Sequence, residues 1–282
     1  LKSENKRDES QKINTKSYES IIDEKSLDRW LKILTKQSII SVDTETNSLN
    51  PIEADLVGLS LSYNSNKSCY IPLAHKKIKG LKKDLVLKKI KPILEDPSIK
   101  KVGQNIKFDF IVLKKNGIEI NPKEDTMLIS YTLDAGINRH NLDTLSEIHL
   151  NHKTISYKEL VGTGKNKLNF SDIDLKKATE YAAEDSDVTL RLFNILKKRL
   201  DGEKLNKIYE NFEKPMIEIL SEMEINGIKV DENYLKALSK KFEERLKMIE
   251  GNIYSAAGKK FNIASPKQLG EIIYNELKIA KL

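Results

Sequence analysis

An α/β domain built on a mixed sheet, followed by an all-α segment, is the fold class this sequence predicts. Three observations predict it. Strand-like runs at 39–46, 55–63 and 68–73 are interspersed with helical periodicities over 81–94 and 174–200, the pattern of an α/β domain. Two of those runs are joined by Asn64-Ser65-Asn66-Lys67, a hairpin turn, so the sheet is mixed and not all-parallel. After Asp201-Gly202 the strand signals stop, and residues 203–225 and 232–256 carry helical periodicity alone.

Taken in order, residues 1–17 are polar, lack an apolar period, and read as a disordered lead. The chain begins at Leu1, not Met, and is read as a fragment. Tyr18, Ile21 and Ile22 suggest a short strand or turn, and Leu27, Trp30, Leu31 and Leu34 an amphipathic helix. A strand follows, ending in IISVDTETNSL (Ile39–Leu49). Residues 81–94 form a helix that stops before Asp96-Pro97, and Lys101–Gly103 a short strand. In the next helix Ile106, Phe110 and Leu113 make one stripe, and Gly117 marks the stop. Residues 125–133 and 142–150 read as short helices, and 154–172 as a loop with a brief helical turn. Further on, Asn226-Gly227 joins two long helices. Asp231 can cap the second, and Ser265-Pro266-Lys267-Gln268 starts another, with Gln268 at the reciprocal box position.

Composition bounds the function. Of 282 residues, 39% are hydrophobic and 32% charged, enough for a core beneath a heavily charged surface. No run of about 18 apolar residues exists, so no membrane span is expected, and no secretory leader is visible. The single cysteine, Cys69, excludes an internal disulfide. A formal charge of +7 suits a polyanionic partner such as nucleic acid, although general lysine richness accounts for it equally.

The candidate chemistry lies in three places. Asp43 and Glu45 are two apart in an extended strand, so both side chains leave the same face. Adjacent carboxylates repel, and a hard cation such as magnesium or manganese would neutralise them. The pair is either half of a metal site or a solvated strand end. Asp109 lies in a helix among Phe108, Phe110 and Ile111, where an acid is unexpected. In the late helix, Tyr181 and Asp185 are four apart and share a face. An acidic helix start with a core tyrosine has the same spacing. Glu184 and Asp187 are competing ligand candidates. His75, His140, His149 and His152 lack a metal-ligand spacing, and Gly162-Thr163-Gly164-Lys165 lacks the context of a phosphate loop.

Together these acids carry a resemblance. Asp-x-Glu, then Asp, then Tyr-x-x-x-Asp resembles the 3′–5′ exonucleases of the ribonuclease H-like fold. The stretches DTETNSL, GQNIKFD, DTML, RHNLDTL, GTGKNKLNF and YAAEDSDVTL resemble, in order, the proofreading domain of bacterial family A DNA polymerases. EKPMIEILSEMEINGIKVD and FNIASPKQLGEIIYNEL resemble the start of the polymerase region with its first thumb helices. The resemblance implies a linker over 1–17, an exonuclease domain over 18–201 and an incomplete polymerase region over 202–282. Palm and fingers would be missing, so no nucleotide addition is expected.

The resemblance also implies roles. Two divalent ions, Mg2+ or Mn2+, would be held by Asp43, Glu45, Asp109 and Asp185. Asp43 would bridge them, Asp109 would support the second partly through water, and Tyr181 would orient the attacking water with help from Glu45. Leu49 would wedge against the terminal base and Phe170 would stack on a base. For both, a place in the core is the alternative. Gln104, Asn105 and Arg139 would meet sugar or phosphate, and Lys165 and Lys167 would attract the backbone. The partner would be DNA with a single-stranded or frayed 3′ end. The setting would be bacterial, cytoplasmic and nucleoid-associated, and the protein a monomer. A 3′–5′ exoribonuclease of the same superfamily, or a catalytically silent scaffold that binds DNA, are the rivals.

Overall fold

The computed structural model describes residues 12–164 and 167–279, and the chain divides into two compact units that meet at Asn226/Gly227. In the first unit, β1 (Glu19–Ser20) precedes α1 (Glu24–Leu34), which Asp23 caps through its side chain. Then come β2 (Ile39–Thr46), β3 (Leu56–Asn64), β4 (Lys67–Pro72), α2 (Lys83–Leu94), β5 (Lys100–Gly103) and α3 (Ile106–Lys115). β6 (Lys123–Asp125), α4 (Thr126–Asp134), α5 (Leu142–Leu150), α6 (Tyr157–Val161) and the long α7 (Leu175–Gly202) follow. The six strands make one mixed sheet in the order β1-β4-β3-β2-β5-β6. β2, β3 and β4 are antiparallel; β1 joins β4, β5 joins β2, and β6 joins β5, all in parallel.

The two faces of the sheet differ in kind. Ile40, Val42, Leu59, Leu61, Cys69 and Ile71 share one face and pack in a buried cluster with residues of α1, α2 and α3. Several alternate positions on the other face are small: Ser41, Ser60, Ser62 and Ser68 are all buried, and α7 crosses β2, β3 and β4 there. α7 in turn presents Ala178, Ala182, Ala183 and Ser186, also buried. Small residues on both partners allow a close approach. That approach brings α7 down onto the end of β2.

The expected helix over 203–225 is broken. It becomes α8 (Asn206–Ile208), a wide π-type turn at Tyr209–Glu213 and α9 (Met216–Asn226). Pro215 explains the break, since it has no amide hydrogen to donate and its ring crowds the preceding turn. α9 contacts α3 and buries Ile217 in the core. Glu218 pairs with Lys123 at 2.6 Å, and Glu222 and Glu224 pair with Lys114 and Lys107. α9 thus belongs to the first compact unit, which extends to Asn226. In the second unit, Asp231 caps α10 (Glu232–Ala257) and Ser265 caps α11 (Pro266–Gly270). The Gln268 side chain accepts from Asn262 N and not from the capping residue's own amide, so the reciprocal half of the expected box is absent.

Two further expectations change. Residues 1–11 lie outside the described residues, but 12–17 are not a free lead. Thr15–Ser17 form a short turn, Asn66 holds Asn14 N (2.8 Å) and Lys12 O (3.0 Å), and Tyr18 donates to Asp187 at 2.8 Å. β6 was hidden because its sequence is Lys-Glu-Asp, yet all three residues are buried. Lys123 is answered by Glu218, and Glu124 by Lys214 (3.0 Å) and the Tyr209 hydroxyl (3.0 Å). Asp125 accepts from four backbone amides: Asn105 and Ile106 at the start of α3, Met127 and Leu128 at the start of α4. No helix among the described residues is long and apolar enough to cross a membrane.

Asp125 is thus a cap shared by two helices. Asp125→Ala would leave four buried donors without their acceptor. It should cost about 2 kcal/mol or more, since each unmet buried donor or lost cap costs on the order of 1 kcal/mol. Urea denaturation measures this, and a loss under about 0.5 kcal/mol would refute the shared cap.

Candidate active site

β2 delivers the first two acids. Strand alternation sends Asp43 and Glu45 toward α7, on the same face as Ser41. Helical spacing sets Tyr181 one turn before Asp185 on the same face of α7. One carboxylate oxygen from each of Asp43, Glu45 and Asp185 lies within 4.8 Å of the other two. Asp109 reaches β2 from α3 on the opposite side. Its Oδ1 accepts from Thr44 N (2.8 Å) and Thr44 Oγ1 (2.6 Å), so it stands beside this trio without joining it.

The electrostatics are unfavourable by design of the fold. Burial raises the Asp43 carboxyl to about 6. Burial, then the charges of Asp43, Asp185 and Asp109, push Glu45 well up. Asp109 and Asp185 are raised by burial first and by Asp43 next. Burial and the neighbouring acids also hold the Tyr181 phenol well above its ordinary value, so it stays protonated. Among the described residues, no lysine, arginine or histidine is ion-paired to any of the four acids. An all-oxygen donor set, crowded and unneutralised, fits a hard divalent cation.

The two rival acids on α7 are accounted for elsewhere. Glu184 accepts from Ile155 N (2.6 Å) and meets His152 Nε2 (2.8 Å), pinning the loop after α5. Asp187 is shared by Tyr18, Asn66 N and Arg191.

The residues expected to touch a substrate divide. Leu49 is 88% exposed on a loop whose neck is closed by Asn47 and Asp55, so the core alternative fails for it. Asn105, with φ +58°, and Arg139 are exposed. Gln104 is partly buried, with its amide bound to His140 O (2.7 Å) and Thr126 Oγ1 (2.6 Å). Phe170 is the correction. It is fully buried, with its ring 6.0 Å from that of Tyr181 and 5.8 Å from His75, and no face is open to a base. The aromatic that sequence reasoning missed is Tyr157. It is partly exposed, its ring is 6.1 Å from Tyr181, and after burial it is the charge of Glu45 that raises its phenol. The signal was there: Ser156 and Glu159 form a capping box that starts a helix at Tyr157. Lys167 stands over the Tyr157 ring at 5.6 Å, and Lys165 lies outside the described residues.

The 3′–5′ exonuclease family matches residues 18–201, and DNA polymerase family A matches residues 232–282. DNA polymerase I of Rhizobium leguminosarum is 41% identical over 93% of this chain, and that of Pseudomonas aeruginosa 38% identical over 92%. The chain spans only 28% and 29% of their lengths. Among solved structures, the POL domain of Pol1 from M. smegmatis, in complex with DNA primer-template and dNTP, superposes with a TM-score of 0.69 at 22% identity. It covers 92% of this chain and 41% of that one. Brucella melitensis NrnC with bound Mg2+ gives 0.55 at 22% identity, over 74% and 93%. At these identities the structures attest the fold.

The raised carboxyls make a signed prediction. Folded Asp43 binds a proton near pH 6 where the unfolded chain does not, so it weakens the metal-free fold in full above that pH, and the penalty fades as pH falls from about 6 toward the ordinary value of 3.8. His75 and His149, kept neutral by burial, act the opposite way, so the difference between variants is the diagnostic. In chelator, Asp43→Asn should be more stable than wild type near pH 8, and the margin should shrink as pH falls through about 6. Urea melts across that range would show it; a margin independent of pH would contradict the crowding.

Proposed function

The chain belongs to the 3′–5′ exonuclease family associated with DNA polymerase I, and we propose that it removes nucleoside 5′-monophosphates from single-stranded or frayed DNA 3′ ends, dependent on divalent metal. The observation that carries this reading is the convergence of Asp43, Glu45 and Asp185, from positions far apart in the chain, to within 4.8 Å beside Tyr181.

Asp43, Glu45 and Asp185 would hold one ion, and Asp43 with Asp109 a second. Thr44 donates twice to Asp109 Oδ1, so Oδ2 would be the oxygen offered to that ion. Bound Mg2+ or Mn2+ would supply Lewis-acid stabilisation of the entering and leaving oxygens of an in-line displacement. The chain's own residues do the positioning. Tyr181, which keeps its proton, orients the attacking water. Glu45 helps hold that water and draws on its proton. The water oxygen bonds to phosphorus, the bond to the 3′-oxygen of the preceding nucleotide breaks, and that oxygen takes up a proton.

The rim binds the strand end in this reading. Leu49, exposed at its loop tip, wedges against the terminal base. Tyr157, in place of Phe170, offers an aromatic face, as stacking platforms for single strands do. Asn105 and Arg139 meet sugar or phosphate, with Gln104 behind them. Residues 202–282 begin a polymerase region, and nucleotide addition is not assigned to these residues. The reading carries a proofreading role, a monomer, and a nucleoid-associated cytoplasmic setting.

A 5′-labelled single-stranded oligodeoxynucleotide in magnesium or manganese tests it. Wild type should shorten the strand from its 3′ end and stop on addition of chelator. Asp43→Ala and Asp185→Ala should each lower the rate by roughly a thousandfold, the scale of several kcal/mol of metal-borne stabilisation. Activity retained in either variant removes the site assignment, and a preference for the matching ribo-oligomer replaces DNA with RNA as substrate.

A further inference from the structure

Behind the acids lies a set of buried rings that the proposed chemistry does not use. On the α7 face of the sheet, Asp43, Ser60 and Tyr70 occupy one cross-strand row, and Glu45, Gly58 and Pro72 the next. Tyr70 is fully buried, and its ring leans from its own row over Gly58. A Cβ built on Gly58 would stand 1.9 Å from the Tyr70 hydroxyl. Gly58 is therefore the hole into which Tyr70 fits, directly across the strand from Glu45. The Tyr70 hydroxyl is hydrogen-bonded to His75 Nε2 at 2.7 Å.

The rings continue toward the site. Tyr70 and His75 each pack on Phe170, at 6.2 and 5.8 Å between centroids, and Phe170 packs on Tyr181 at 6.0 Å. These spacings, with interplanar angles of 57–73°, suit inclined and edge-to-face ring packing. The turn that carries Phe170 is tied at both ends. Asn169 donates to Asn47 O (3.3 Å), two residues past Glu45, and Lys76 N donates to Ser171 O (3.0 Å) beside a Lys76–Asp172 ion pair of 2.8 Å. Phe170 is thus bolted to the exit of β2 on one side and to the His75 loop on the other.

We propose that Tyr70, His75 and Phe170 form a positioning assembly that fixes the Tyr181 ring and the Glu45 carboxylate for attack on the strand end. It rests on the exonuclease reading above. Glu45 is repelled by its neighbours and has no hydrogen-bonded partner among the described residues, so rigid packing behind it has to supply its geometry. Phe170 holds the ring of Tyr181, and Tyr70, hooked to His75, fills the space beside Glu45.

The test separates positioning from mere stability. Tyr70→Phe removes only the hydroxyl, Phe170→Leu removes the ring that backs Tyr181, and Trp30→Phe perturbs a buried ring outside the assembly as a comparator. On a single-stranded oligodeoxynucleotide with Mn2+, Tyr70→Phe and Phe170→Leu should each lower kcat by roughly tenfold or more, the scale of sub-ångström misplacement. KM should stay within about twofold. Trp30→Phe should lower the melting temperature and leave kcat unchanged. Wild-type kcat in both assembly variants would overturn the proposal while leaving the exonuclease reading intact. So would a kcat loss in Trp30→Phe matching theirs at equal loss of melting temperature. An inactive wild type would remove both.

Discussion

Four carboxylates held together without a counter-charge are the constraint on which this molecule is arranged. Nothing in their own chemistry draws Asp43, Glu45, Asp109 and Asp185 together; their charges and their burial both oppose it. The fold holds them against that opposition with interactions made elsewhere. The small-residue face of the sheet lets α7 descend, the apolar face anchors α1, α2 and α3, and Asp109 is fastened to β2 by two bonds from Thr44. Crowding that destabilises the apo fold is the same crowding that makes a cation welcome, the familiar opposition between stability and function in a site.

The other buried acids show what a structural carboxylate looks like here. Asp125 is met by four backbone amides, Glu184 by an amide and a histidine, Asp187 by a tyrosine, an amide and an arginine, and Glu124 by a lysine and a tyrosine. Each has donors that offset its desolvation. Asp43, Glu45 and Asp185 have no comparable set. Acids at most half-exposed and left without such partners, amid others carefully answered, are the distinguishing mark of the site, and it is a mark of partners, not of residue type.

That distinction explains what the sequence could and could not disclose. The strand ending in Asp-x-Glu, the stripe of Ile106, Phe110 and Leu113, and the long late helix were legible because each is a local periodicity. β6 was not, because Lys-Glu-Asp becomes a buried strand only through Glu218, Lys214 and Tyr209, which lie some 85–95 residues later. The break at Pro215 was legible in principle and was overrun by the apolar period on either side. Asp185 could not be told from Glu184 or Asp187 by spacing, since the choice is made by what each one faces across the fold. Phe170, expected to stack on a base, is covered for the same reason, while Tyr157 keeps part of its ring exposed. Both lie in a loop-rich stretch, and only the packing of His75 and Tyr70 against one of them decides which is covered.

The acids also govern how a polyanionic strand could approach. A phosphate entering between unneutralised carboxylates would be repelled, so neither metal nor strand gains its full affinity alone. Each reduces the cost of the other, a coupling that is reciprocal by necessity. The attraction that brings the strand must then come from outside the cluster, from exposed groups such as Arg139 and from the excess of basic side chains behind the +7 charge. Apolar or neutral contacts at Leu49, Tyr157 and Asn105 would act only after arrival, where they select a strand end that has already left its partner. On the proposed reading, salt would weaken capture, the acids and their ions would govern cleavage, and the buried rings behind Tyr181 would govern neither affinity nor charge but only alignment.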